Sequence, residues 1–194
     1  MAALERLGWH HRGATSMIQK LAAHFEVLIH DQRGLGRTTV PHDTPTMCDY
    51  AADAAALLDR LGLPSTLVVG ISFGGMVAQE FAVTWPARVE RLALLCTSPG
   101  GAGGSSYPLH TLTAMSAAEQ ARLRLHLADS RYTPEFLAAN PFDQRLVELG
   151  VVGRAAPRTE GQLRGEAMQL VARSGHDVSD RLGQHQLPHA GCVR

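Results

Sequence analysis

Ser72 stands between Gly70 and Gly74, and no other part of the sequence is better equipped for chemistry. An apolar run of strand type, Thr66-Leu67-Val68-Val69, leads into Gly70-Ile71-Ser72-Phe73-Gly74-Gly75. Helix formers, Met76-Val77-Ala78, follow at once. G-x-S-x-G at a sharp strand-to-helix turn lifts a serine hydroxyl clear of a sheet. Such a turn is strained, and a Cβ at position 70 or 74 would crowd the neighbouring backbone. The helix that begins here directs N–H groups and the positive end of its dipole toward the serine. The chemistry this predicts is attack of the Ser72 oxygen on a carbonyl carbon. The backbone N–H of Phe73 is the first donor to the resulting oxyanion. Five residues alone are a weak signal; the strand before, the helix after and the extra glycine at 75 strengthen it.

The elements that must hold this turn read in order. Residues 14–25 predict a helix, with Ile18, Leu21, Ala22 and Phe25 on one face. Residues 26–31 predict a short buried strand. The Gly34-x-Gly36 that follows has Thr39 where a dinucleotide loop needs its third glycine, and Pro41 instead of a helix, so it is read as a turn. Residues 50–61 form an alanine- and leucine-rich helix, stopped by Gly62 and Pro64. After the serine turn a helix runs from Gly75 to about Thr84, and residues 91–97 give a third strand. Strand and helix alternate from 18 to 97, which calls for a parallel sheet with flanking helices and right-handed crossovers. Ligands of such sheets bind beyond the carboxyl ends of the strands, where Ser72 falls. Residues 99–106 read as a glycine-rich linker. Residues 116–129, 133–150 and 159–174 read as three helices with no strand between them, a helical cap. The expected organisation is a core over 14–98, a cap over 107–182, and atypical tails at 1–13 and 183–194.

The chain of 194 residues is 45% hydrophobic, and 18 basic residues balance 18 acidic ones. It can bury a core, and its charge argues against nucleic acid or an acidic membrane surface as partner. The cysteines, Cys48, Cys96 and Cys192, are odd in number and widely spaced, so no disulfide framework is expected. Cys96 reads as a small buried hydrophobe within a strand. No secretory signal and no membrane span is read, so a cytoplasmic location is expected.

From about residue 18 to 183 the chain resembles the α/β-hydrolase superfamily, most closely its small lactonases, carboxylesterases and cofactor-free haloperoxidase-like enzymes, such as the 3-oxoadipate enol-lactonases. Four blocks carry the likeness: 21–27 through Asp31-Gln32-Arg33-Gly34-Leu35-Gly36; Asp49-Tyr50-Ala51-Ala52-Asp53 with 57–62; the serine turn; and 88–97. The resemblance implies a partial α/β-hydrolase fold, a parallel sheet with flanking helices plus a helical cap. It implies Ser72 as nucleophile, Phe73 N–H as oxyanion donor, no cofactor or metal, and a small-molecule ester or lactone as substrate.

Two departures accompany it. The family places a strand and a His-Gly loop before the first helix, and residues 1–13 read as neither. An empty slot would hold the strands at 26–31 and 66–71 about 10 Å apart, too far to pair. At the other end the family has a strand ending in a catalytic Asp and a later Gly-His, and residues 183–194 read as neither. The chain is therefore expected to be truncated at both ends. Gly175-His176-Asp177 imitates the Gly-His pair but follows a helix, so His176 is read as a surface or capping residue rather than the base. His110 and His126 have no better claim. His185, His189 and Cys192 have zinc-like spacing but lie in a tail. Asp31 reads as a structural acid holding Arg33. Two readings of activity stay open: a serine hydrolase, or a catalytically inactive fragment or interaction-only remnant of one. Oligomeric state is not legible.

Overall fold

The structure is a computed structural model that describes residues 2–4, 15–104, 107–155, 159–183 and 191–192. Their contacts divide into two compact units: residues 1–107 with 160–194, and residues 108–159.

The first unit is built on a parallel five-stranded sheet, β1 (Ala2–Leu4), β2 (Leu28–His30), β3 (Thr66–Ile71), β4 (Val89–Leu95) and β5 (Gly191–Cys192), in the order β2-β1-β3-β4-β5. This corrects the two readings of the tails. The slot expected to be empty is filled by Ala2–Leu4, which pairs Ala2 with both Leu28 and Val68 and Leu4 with both His30 and Gly70. The far tail also supplies a strand, with Gly191 and Cys192 beside Ala93 and Leu94. Ala2-Ala3-Leu4 is apolar but only three residues long, Gly191-Cys192 is two, and neither holds a β-branched residue to announce a strand. Each is strand because a neighbour presents unpaired N–H and C=O groups that must be met.

Helices α1 (Thr15–Ala22), α2 (Met47–Arg60) and α3 (Phe73–Thr84) occupy the crossovers between strands. Helix α2 starts at a capping box: Thr46 accepts from the Asp49 N–H, and Asp49 accepts from the Thr46 N–H. It ends where Gly62 takes φ 68°, with Gly62 N–H bonded to Asp59 C=O and Leu63 N–H to Leu58 C=O. That is a Schellman stop, and the left-handed residue it needs is the predicted glycine. The buried alanines Ala51, Ala54 and Ala55 let α2 come close to its neighbours. Helix α3 is buried from Phe73 to Val83, as a helix apolar on nearly every side must be, and it takes the polar Gln79 and Glu80 in with it. One core joins Met47, Tyr50 and Leu58 of α2 to Val68 of β3 and to Phe73, Met76, Val77 and Phe81 of α3.

Residues 108–159 hold α4 (Ala117–Ala128), α5 (Pro134–Ala139) and α6 (Pro141–Ala155), with a small core of Ala121, Leu137 and Val147. The single helix expected over 133–150 is two. Asn140 ends α5 by bonding back to Leu137 C=O, and Pro141, lacking an N–H, can only open the next helix.

The helical unit ends at Thr159. Helix α7 (Glu160–Ser174) belongs with the sheet: Gly165 lies on the backbone of Gly34 so closely that it has no room for a Cβ, and Ala172 joins the main core. Arg173 of α7 donates to the Tyr107 C=O at 2.7 Å, tying together the two sides of the chain where it leaves and re-enters the sheet unit. The short α8 (Ser179–Leu182) follows.

Candidate active site

Strand β3 ends at Ile71 and α3 begins at Phe73, so the whole turn is one residue, Ser72, at φ 53° and ψ −119°. A side chain rarely tolerates that backbone; holding it there costs about 1–3 kcal/mol. The surroundings impose it. The Ser72 N–H donates to Leu95 C=O at 2.9 Å, and its own carbonyl accepts from Gly75 N–H at 2.9 Å and Met76 N–H at 3.2 Å. Gly70 is obligatory: a Cβ there would lie 2.6 Å from Ala78 Cβ and 2.7 Å from the Gly74 carbonyl oxygen. Gly75 is obligatory too, because Thr97 sits against it, with its Cβ 2.6 Å from where a Cβ would stand.

Ser72 is half-buried at the carboxyl end of the central strands. Its side chain makes no capping hydrogen bond to α3. In a helix the first N–H groups have no acceptor within the helix, so those of Phe73 and Gly74 are presented at the serine end. The Phe73 ring is buried and meets Tyr50 edge to face, with centroids 5.2 Å apart. That contact braces the residue whose N–H is the candidate donor. The Tyr50 hydroxyl is buried and has no hydrogen-bond partner among the described residues, and burial pushes its phenol up to about 12.

Strand β4 ends level with β3, Ile71 pairing with Leu95. The next residue on each strand turns left-handed: Ser72 at φ 53° and Cys96 at φ 51°. Cys96 is therefore exposed at a strand end and not a buried hydrophobe. Beyond it, the buried Gln79 of α3 donates its side-chain amide to Thr97 Oγ1 at 3.3 Å and to Ser98 C=O at 3.2 Å. Sequence reasoning passed over Gln79, although Gln79 and Glu80 are an isolated polar pair in an otherwise apolar helix.

His176 is not a surface residue. It is 5% exposed, and among the described residues neither ring nitrogen has a partner at good hydrogen-bonding geometry; it is not bonded to Ser72. Burial pushes its pKa down and Arg181 adds to that shift; the Glu80 and Asp177 carboxylates and the Ser98 backbone beside the ring oppose it. The segment around it straps the loop after β4. Val178 N–H bonds to Pro99 C=O, and Ser179 Oγ donates to Gly100 C=O. Gly100, at φ 76°, lies against the His176 backbone, and Arg181 forks onto the buried Glu80 at 2.7 and 2.8 Å.

Asp31 does not hold Arg33. Arg33 reaches α2 and pairs with both oxygens of Asp53, while Asp31 accepts from the Arg37 N–H at 3.1 Å. Gly36 abuts the Asp31 carboxylate and Gly34 abuts Gly165, so protein contacts account for both glycines of that turn. His110 and His126 lie in the helical unit. The residues with zinc-like spacing, His185, His189 and the Cys192 side chain, lie outside the described residues, as does the stretch expected to lack a His-Gly loop. Among the described residues no cluster of three metal-binding side chains occurs, and no helix is long and apolar enough to cross a membrane.

The family model for the alpha/beta hydrolase fold matches residues 6–145. The chain belongs to the α/β-hydrolase fold family. This α/β-hydrolase chain is 46% identical over 66 residues to a homoserine O-acetyltransferase of Thermus thermophilus, covering 34% of this chain and 17% of the relative. It is 36% identical over 95 residues to a 2-hydroxy-6-oxo-2,4-heptadienoate hydrolase of Pseudomonas putida, covering 48% of this chain and 33% of the relative. Its fold follows that of the enol-lactonase from Burkholderia xenovorans with a TM-score of 0.62 at 22% identity, over 93% of this chain and 66% of that one. The matches span no more than a third of these two curated relatives' length. The relatives share the fold and differ in what they act on.

Proposed function

We propose that this α/β-hydrolase chain derives from a serine hydrolase of carboxylic esters or lactones, with Ser72 as nucleophile and the Phe73 N–H as oxyanion donor. The observation that carries this is the left-handed, half-buried Ser72 between the end of a central strand and the start of a buried helix. Strain on a residue with a reactive hydroxyl is costly and recurs where chemistry needs it.

In the proposed reaction the Ser72 oxygen adds to the carbonyl carbon, and the developing oxyanion takes a hydrogen bond from Phe73. Collapse breaks the C–O bond, the leaving oxygen takes up the proton that the serine gave to the base (and stays tethered to the acyl chain if the substrate is a lactone), and water then hydrolyses the acyl-serine to the acid. A serine is a poor nucleophile until a base takes its proton. His176 is not bonded to Ser72, so the base is not assigned to it. Without base and acid, oxyanion donors and binding alone leave about 10³–10⁴ over water. A small uncharged or weakly charged substrate fits the balanced charge of the chain better than nucleic acid or a membrane surface. The free cysteines Cys48 and Cys96 suit a reducing, cytoplasmic setting.

The test is a fluorophosphonate probe applied to the purified chain and to Ser72→Ala, read by intact mass and peptide mapping. One adduct on the peptide that carries Ser72, absent from the variant, is the expected result. Equal labelling of both, or of neither, overturns Ser72 as nucleophile. It would favour the reading of a fold retained without turnover.

A further inference from the structure

Three contacts tie the loop after β4 to the serine turn. Leu95 C=O accepts the Ser72 N–H at 2.9 Å. Thr97 packs its side chain on Gly75. Gln79, one turn further along α3, donates its amide to Thr97 Oγ1 and Ser98 C=O. The first contact holds the backbone of the reacting residue at the end of the β3–β4 ladder, and the other two tether the loop that leaves the same acceptor strand to α3. Cys96, between them, is left-handed at φ 51°, so the segment does not hold this path by its own preference. Gln79 is 1% exposed, in a helix whose other buried side chains are apolar except for the neighbouring Glu80. A buried amide there has a cost that only its two acceptors offset.

We propose that Gln79 is a positioning residue for Ser72, acting through Thr97, Ser98 and the Leu95 carbonyl to hold the serine turn in its left-handed state. This rests on the reading of Ser72 as nucleophile. The consequence is a specific kinetic signature. Loosening the loop frees the Ser72 N–H and lets φ relax, so the hydroxyl spends less time in its reactive direction. Misplacement of a reacting group by a fraction of an ångström to an ångström costs rate out of proportion to binding.

The experiment compares the full chain with Gln79→Leu and with Thr97→Val, which removes the hydroxyl but keeps a methyl to rest on Gly75. Phosphonylation of Ser72 is followed over a range of probe concentration to separate the maximal rate from probe affinity. Amide hydrogen exchange at Ser72 is measured on the same samples. The expected result is an about tenfold slower maximal rate with probe affinity within about twofold, and faster exchange at Ser72, in both variants. The double variant is expected to be little worse than either single one, because both break one clamp. An unchanged maximal rate in folded protein overturns the proposal, as does a loss confined to probe affinity. Should Gln79→Leu fail to fold, Thr97→Val carries the test alone. A wild-type chain that takes no probe overturns the Ser72 reading and this proposal with it. Exchange at Ser72 would then still report whether the clamp exists, so the two failures are distinguishable.

Discussion

The turn after β2 and the turn after β3 each carry glycines at i and i+2 or i+4, but they use them in opposite ways. After β2 the glycines themselves take the left-handed backbone, Gly34 at φ 80° and Gly36 at φ 54°, and protein atoms fill the space beside them. After β3 the left-handed residue is Ser72, and Gly70 and Gly75 only clear room for Ala78, the Gly74 backbone and Thr97. The first turn is relaxed and structural. The second holds a strained residue that carries a hydroxyl, and the helix starting behind it presents free N–H groups. Glycine count alone does not separate a structural turn from a reactive one; the residue that bears the positive φ does.

The comparison can be broken most forcefully at Gly70. Gly70→Ala places a methyl against backbone that cannot move, and a loss of about 3 kcal/mol is expected by urea unfolding. A loss below about 1 kcal/mol would mean that the turn opens without strain. Gly36→Ala should be milder, about 2 kcal/mol, because the Asp31 carboxylate can swing away from the new methyl while the positive φ remains unfavourable. Its Ser72 phosphonylation rate should stay within about twofold of wild type, since the two turns are separate. Ser72→Gly should gain about 1 kcal/mol over Ser72→Ala, because glycine relieves the left-handed strain that alanine retains, and neither should take the probe. Equal stabilities would show that Ser72 is not strained at all.

The loop after β4 offers a third glycine turn for the comparison, Gly100 against His176. His176 is held below its ordinary 6.5 by burial, so the folded protein keeps it neutral where the unfolded chain takes a proton. Stability should therefore fall as pH drops through about 6.5 toward the lower folded value. His30, also lowered by burial, pulls in the same direction. His176→Gln should flatten part of this slope in unfolding measured from pH 7.5 to 5. An unaltered slope would mean that the folded ring accepts its proton freely. The smallest effect is expected at Tyr50→Phe, which keeps the ring against Phe73 and removes a hydroxyl with no partner among the described residues. A change within about 1 kcal/mol, of either sign, should appear.

What could be read in the sequence was what is local. The serine turn, the stop at Gly62 and the helix after the serine follow from residues within a few positions of one another. Ala2–Leu4 and Gly191–Cys192 are strands only because distant neighbours need partners, and nothing in those short stretches states that. The end of β4 was hidden because Leu94-Leu95-Cys96 continues an apolar pattern through the residue where the chain bends. Arg33 was assigned to its neighbour Asp31 by proximity, whereas the crossover brings Asp53 within reach of its planar fork. His176 looked like a capping residue because what buries it, the loop at 97–101 and Glu80, is far away in the chain.

The clasp of Arg173 on Tyr107 has an evolutionary side. It closes the stem from which residues 108–159 depart, and α7 lands on the β2 turn through Gly165 whatever lies between. With both roots fixed to the sheet, the intervening helices can lengthen, shorten or be exchanged wholesale while the serine stays where it is.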